Sequence, residues 1–156
     1  MTLLTSRKGR HHIRYAIFPH IGPLDHRTIR AGYNVNNPMK LHYHPSPSTI
    51  SPLLSAFKIE GSPSLVLDTI KRGEDDIDVS HGELPQRKGR SVIVRIFDSL
   101  GGKAKGVLKW GDVPIKKVEK SNILEDDGEE LTILKGGKGV EIELRAFEVA
   151  TYRLQL

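Results

Sequence analysis

The amino-acid sequence predicts an all-β protein: an antiparallel β-sandwich with one short helix near its N-terminus. Three observations carry this. Apolar and alternating runs of only five to eight residues recur along the last two-thirds of the chain, separated by glycine turns such as Gly101-Gly102, Asp127-Gly128 and Gly136-Gly137. Val140, Ile142 and Leu144 alternate with Glu141, Glu143 and Arg145, the period of a strand with one wet face. No strand pattern is followed by a long helical pattern, so βαβ units and a parallel sheet are not expected.

Residues 11–19 read as a first strand, with Ile13, Tyr15 and Ile17 on one face and Arg14 and Ala16 on the other. Pro19 and Gly22-Pro23 stop it. Asp25 is placed to cap a short helix through about Tyr33, whose apolar side is Ile29 with Tyr33; residues 34–38 end it. Residues 42–52, rich in Pro, Ser and His, predict an exposed loop or link. Residues 53–59 and 64–70 read as two strands around the turn Glu60-Gly61-Ser62-Pro63. Residues 73–90, acidic at the start and basic at the end, read as a long, mobile hairpin loop. Five strands are expected beyond it, at about 92–98, 103–110, 115–122, 131–134 and 140–154, the last one bent. Residues 92–97 are apolar on both faces except for Arg95, so that strand should lie inside a sheet.

The composition is that of a globular domain. The chain has 156 residues, 37% of them hydrophobic and 28% charged, enough to build a core and too apolar for general disorder. There is no cysteine, which excludes a disulfide-stapled fold and thiolate chemistry. No apolar run approaches the roughly 20 residues that span a bilayer, and the first eight residues lack the apolar core of a secretory signal. The net charge is +5, but the bases are scattered in pairs such as Lys71-Arg72 and Arg87-Lys88, and aromatics make up only 6%. Neither a nucleic acid nor a membrane is expected as a partner.

Few residue groups point to chemistry. Two acidic clusters, Glu74-Asp75-Asp76 and Glu125-Asp126-Asp127, could supply a carboxylate pair for glycoside cleavage, but beside glycines they read as solvated turns. His42-Tyr43-His44 puts two imidazoles on one face with no third ligand at a metal-binding spacing, and the other histidines are scattered. Gly136-Gly137-Lys138-Gly139 opens no helix and reads as a hairpin turn, not a phosphate cradle. Arg95, inside an apolar strand, needs a carboxylate partner; Glu148 is the expected one, with Asp98 as the other candidate, in a structural ion pair. Trp110, in a Gly-bounded turn, is the candidate for stacking on a sugar, although a lone Trp more often plugs a core.

Several motifs taken together resemble one family. These are Tyr15-Ala16-Ile17-Phe18-Pro19-His20 with Gly22, Ala31-Gly32-Tyr33-Asn34-Val35-Asn36-Asn37-Pro38, Lys71-Arg72-Gly73-Glu74-Asp75-Asp76, Asn122-Ile123-Leu124-Glu125-Asp126, and the ending Arg145-Ala146-Phe147-Glu148-Val149. In this order they resemble the C-terminal β-sandwich of the class II α-mannosidases, glycoside hydrolase family 38, closest to its cytosolic and vacuolar branch. The likeness covers residues 13–156; residues 1–12 match poorly. Ala146 stands where the family usually has proline, and the loop near residues 40–52 carries extra His and Pro.

The resemblance implies a part of an enzyme. The family's Asp nucleophile and its zinc belong to a catalytic domain with no counterpart in this sequence, so no catalytic residue and no cofactor are expected here. The expected role is scaffolding, inactive alone, with that catalytic domain as partner and with self-association into a homo-oligomer as a further expectation. The implied location is cytoplasmic or vacuolar. The alternative is a stand-alone carbohydrate-binding module, for which only Trp110, Tyr15, Tyr43 and Tyr152 could supply exposed aromatic platforms.

Overall fold

The computed structural model describes residues 13–41, 55–82 and 86–156. The chain divides into two compact units, Met1–Tyr43 and His44–Leu156.

In the first unit, α1 (His26–Asn36) begins where Asp25 predicts it. Asp25 Oδ1 accepts from the Arg27 backbone N–H at 2.9 Å, capping one of the orphan donors of the first turn. The Arg27 guanidinium, 2.7 Å from Asp25 Oδ2, holds that carboxyl down at about 2. Ile29 and Tyr33 share the half-buried side, and the helix runs to Asn36, past the expected end near Tyr33. Residues 13–19 carry the alternation of a strand but form none. A strand exists only as part of a ladder, and no described residue of this unit offers them one. Residues 11 and 12 and the loop expected at 42–52 lie outside the described residues.

The second unit is the sandwich. Its eight strands are β1 (Phe57–Gly61), β2 (Leu65–Arg72), β3 (Ser91–Asp98), β4 (Ala104–Trp110), β5 (Lys117–Ser121), β6 (Glu129–Leu131), β7 (Gly139–Leu144) and β8 (Val149–Gln155). They form a three-stranded sheet in the order β1-β4-β7 and a five-stranded sheet in the order β2-β3-β8-β5-β6, every pairing antiparallel. The core lies between them. One sheet supplies Leu65, Val94, Ile96, Val118, Ala150, Tyr152 and Leu154; the other supplies Ala104, Leu108, Trp110, Val140, Ile142 and Leu144. On β7 the glutamates are exposed and the aliphatics buried, as the alternation requires.

Two connections differ from the expected pattern. β1 and β2 are not a hairpin: the turn between them crosses from one sheet to the other. The crossing is tight because Gly61, at φ 126°, lies opposite Gly106. A Cβ on Gly61 would stand 2.6 Å from the Gly106 Cα, and one on Gly106 would stand 2.6 Å from the Glu60 carbonyl oxygen. The expected bent strand at 140–154 is two strands, β7 and β8, one in each sheet. The chain switches sheets at residues 145–148, where Phe147 adopts a left-handed φ of 56°. As predicted, β3 lies inside its sheet, between β2 and β8.

Candidate functional site

The inner face of the five-stranded sheet is apolar, but its outer face is charged. Strand alternation puts Val94 and Ile96 of β3 inside, so Ile93 and Arg95 point outward. The register then lays out two rows across that face: Lys71, Ile93, Arg153 and Glu119 in one, Thr69, Arg95, Thr151 and Ser121 in the next. Much of this polar face is buried. Arg153 and Ile93 are fully inaccessible, and Thr151, Glu119 and Ser121 nearly so.

Arg153 is the centre of the arrangement. Its Nη1 donates to Asp75 Oδ1 at 2.8 Å and to Ser91 Oγ at 3.1 Å, and its Nη2 donates to the Glu125 carbonyl at 2.7 Å. Asp76, also fully buried, accepts from the Ser91 N–H at 2.6 Å, the Ser91 hydroxyl at 2.7 Å and Arg72 Nη2 at 3.0 Å. A buried charge needs such partners, because desolvation otherwise costs several kcal/mol per ion. The two acidic clusters, expected to be solvated turns, are therefore anchors: Asp76 is 0% and Glu125 5% exposed. Nor do the described residues of the segment 73–90 hang free. The Arg87 N–H donates to the Asp75 carbonyl at 2.6 Å, the Ile77 N–H donates to the Arg87 carbonyl at 3.0 Å, and Arg90 Nε meets Asp78 Oδ2 at 3.1 Å.

The two clusters flank a cleft of about 780 Å³ lined by Lys71, Glu74, Asp75, Arg87, Arg95 and the residues 123–127. Glu125 stands at its centre. Its Oε1 meets Lys71 Nζ at 2.6 Å and Arg95 Nη2 at 3.0 Å, and its backbone φ is 69°, a left-handed conformation rare for a residue with a side chain. Ile123 and Leu124 beside it are exposed, and the Ile123 carbonyl accepts from Arg95 Nη2 at 3.0 Å.

These contacts correct the expected ion pair. Arg95 pairs with Glu125, not with Glu148 or Asp98, because β3 directs it to the outer face, under the residue 123–125 loop. Glu148 instead accepts from the Arg145 N–H at 2.8 Å and pairs with Lys120 at 2.8 Å; the amide first and the lysine second hold its carboxyl down at about 2. Trp110 is no sugar platform. It is 4% exposed at the end of β4, its Nε1 donating to the Gly137 carbonyl at 3.1 Å, so the ring is a core plug. The Gly136-Gly137-Lys138-Gly139 turn leads into β7.

The electrostatics of the cleft do not resemble a general acid's. A proton donor needs its pKa raised, whereas two of these carboxylates are pushed the other way. Burial favours protonation of Asp75, but Arg153 and Arg87 outweigh it and keep its pKa below the ordinary value. Glu74 is lowered by its hydrogen bond to Lys71. On Lys71 burial works against the charge, and Glu125 and Glu74 overcome it, so its pKa is raised. Nor does the donor set suit zinc: no three His, Asp or Glu side chains converge among the described residues, and the cleft carboxylates already face Lys71, Arg87, Arg95 and Arg153.

The family model for the glycosyl hydrolases family 38 C-terminal beta sandwich domain matches residues 64–152. This chain belongs to that family. The match runs from the start of β2 into β8 and takes in Lys71, Asp75, Arg95 and Glu125. The chain is also similar to longer proteins. An α-mannosidase of Saccharomyces cerevisiae is 34% identical over 154 residues, 94% of this chain and 14% of that protein. Alpha-mannosidase 2C1 of Homo sapiens is 36% identical over 98 residues, 62% of this chain and 8% of the relative. Alpha-mannosidase G of Dictyostelium discoideum is 28% identical over 153 residues, 96% of this chain and 13% of the relative. This chain thus spans a small part of the length of each of these relatives.

Arg153 is the residue that sequence reasoning missed, and Glu125, noted only as part of an acidic turn, was missed as the partner of Arg95. Arg153 had a signal: on β8 it alternates with Tyr152 and Leu154, which places it on the opposite face beside Ile93. Nothing in the sequence revealed that two loops would close over that face.

Proposed function

We propose that this chain is the C-terminal structural domain of an α-mannosidase-type glycoside hydrolase and is inactive by itself. The observation that carries the reading is the family 38 match, together with coverage of only 14% of the yeast relative. In the whole enzyme, hydrolysis of α-mannosyl linkages belongs to a separate catalytic domain, which holds the nucleophile and the zinc. The sandwich is a scaffold behind that domain, in a cytoplasmic or vacuolar enzyme of mannose-oligosaccharide catabolism.

The exposed apolar side chains support a docking role. Ile13, Tyr15, Ile17 and Ile21 in the first unit, and Ile123, Leu124, Phe147 and Val149 in the sandwich, are each more than half exposed. The carbohydrate-module alternative has lost two of its platforms, since Trp110 and Tyr152 are buried. An assay of the isolated chain with a chromogenic α-mannoside tests the proposal. No turnover above a buffer blank is expected. Turnover abolished by Glu125→Gln or Asp75→Asn in a folded variant would overturn it, and saturable heat on titration with mannose oligosaccharides would revive the module.

A further inference from the structure

Asp127-Gly128 is the sole Asp-Gly pair in the sequence, and the sequence has no Asn-Gly. The fold demands this glycine. A Cβ at residue 128 would overlap the Lys120 carbonyl oxygen, so no other residue fits against β5 there. The Gly128 N–H itself donates to no described residue. The carboxyl before it is open: the Asp127 side chain is 70% exposed, and it meets Arg87 Nη1 at 2.6 Å from Oδ1. A side-chain carboxyl carbon therefore lies next to an unpaired amide nitrogen, with no following side chain to crowd their approach.

Two other aspartates show what sets this one apart. Asp112 is more open, with its side chain 98% exposed, but the β-branched Val113 follows and shields its own amide. Asp98 precedes the small Ser99, but it is 2% exposed and its Oδ2 is held by the Gly101 and Phe147 amides. Asp127 combines an exposed carboxyl with an uncrowded amide.

We infer that Asp127 is a site of spontaneous chemical modification, isomerising to isoaspartate through Gly128. The Gly128 nitrogen attacks the Asp127 side-chain carboxyl carbon. A C–N bond forms, a C–O bond breaks, and the amide proton leaves with the departing oxygen as water. Water then reopens the cyclic imide. Addition at the former main-chain carbonyl routes the chain through the side-chain carbon and frees the other carboxyl; nothing is oxidised or reduced. The product has one more carbon in the main chain just before β6, a strand of three residues paired with β5, at the point where the backbone is pressed against Lys120. It also shifts the carboxylate that Arg87 holds. Modification thus loosens β6 and the loop after β5 and leaves the central strands β3 and β8 in place.

Prolonged incubation of the folded full chain at neutral pH in heavy-oxygen water, then proteolysis and mass spectrometry, tests this. The peptide that contains Asp127 should give a second chromatographic peak that carries one heavy oxygen, and fragmentation should place isoaspartate at residue 127 and not at Asp126. The peptide that contains Asp112 should stay a single peak. Arg87→Met releases the carboxyl and should convert several-fold faster. Asp127→Glu, whose longer side chain closes the ring far less readily, should abolish the second peak. The aged protein should unfold at a lower urea concentration than the fresh one, and aged Asp127→Glu should not. No second peak after a period in which the urea-unfolded chain has converted would overturn the inference. So would isoaspartate that forms first at Asp112 or Asp126, or a loss of stability on ageing that Asp127→Glu shares.

Discussion

Arg153 Nη1 lies 2.8 Å from Asp75 Oδ1, and the two residues are 78 positions apart in the chain. The contact ties the segment after β2 onto β8, while the same guanidinium holds the loop after β5 through the Glu125 carbonyl. One buried side chain thus fastens both loops that cover the outer face of the five-stranded sheet.

Removing it should be costly. Arg153→Met keeps an apolar stem but leaves Asp75 with Arg87 alone and the fully buried Asp76 with Arg72 alone, and breaking a buried pair typically costs about 3–5 kcal/mol. Urea denaturation should show that loss as a lower midpoint, against less than about 1 kcal/mol for Lys103→Met, whose pair with Glu143 is exposed. A drop below about 1 kcal/mol in Arg153→Met would mean that the network is not what holds the loops.

The partner of Arg95 is open to a double-mutant cycle. Arg95→Met with Glu125→Gln should show a coupling of roughly 0.5–3 kcal/mol, as neighbours in one network do. Arg95→Met with Glu148→Gln should be additive within about 0.5 kcal/mol. The reverse pattern would restore the pairing with Glu148.

Acid should unfold the sandwich by a route set by its depressed carboxylates. Glu148 drops from an ordinary 4.5 to about 2 in the folded chain, and Asp75 and Asp98 are also lowered. A group with a depressed folded pKa stabilises fully above its unfolded value and loses that contribution as pH falls through the folded one. Stability should therefore hold from pH 7 to about 5, then decline between about 4.5 and 2. Urea midpoints measured across that range check it, and Glu148→Gln should flatten part of the slope. A profile that falls already between pH 7 and 5 would mean that these carboxylates do not set it.

Alternation was legible in the sequence because it is local. Val140, Ile142 and Leu144 face the core as their spacing requires, and Asp25 caps its helix because the cap needs only the next three residues. Long-range pairing was not legible. Glu60-Gly61-Ser62-Pro63 has hairpin composition, yet a turn that crosses between sheets uses the same residue types. Arg95 announced that it needed a carboxylate, but the expected Glu148 and the other candidate Asp98 gave way to Glu125, 30 positions away, which only the residue 123–125 loop brings to it. Residues 13–19 had the right period without a ladder, since periodicity records a strand's preference and not its partner.

Trp110 offers an optical test of its burial. As the sole tryptophan, packed at the end of β4 among core side chains, it should emit at short wavelength and shift red only on unfolding. Mannose oligosaccharides should leave that emission unchanged, while Trp110→Ala should cost about 3–5 kcal/mol in urea. Sugar-dependent quenching would put the ring back on the surface.

The crossing between β7 and β8 depends on Asp98. This carboxylate is 2% exposed, and its Oδ2 accepts from the Gly101 N–H at 2.7 Å and the Phe147 N–H at 3.1 Å. Burial raises its pKa, but the Ser64 hydroxyl and the amides of Phe147, Gly101 and Leu100 outweigh that and keep it lowered. The bond to Phe147 holds an aromatic residue in a left-handed conformation that costs of order 1–3 kcal/mol, with its ring pressed over Gly101. Asp98→Ala removes the acceptor and leaves two turn amides unpaired, so it should destabilise by roughly 2–4 kcal/mol. Phe147→Gly relieves the backbone strain and should restore part of that loss in the double variant. If the two changes simply add, then Asp98 is not what holds Phe147 in place, and the turn owes its shape to the strands on either side.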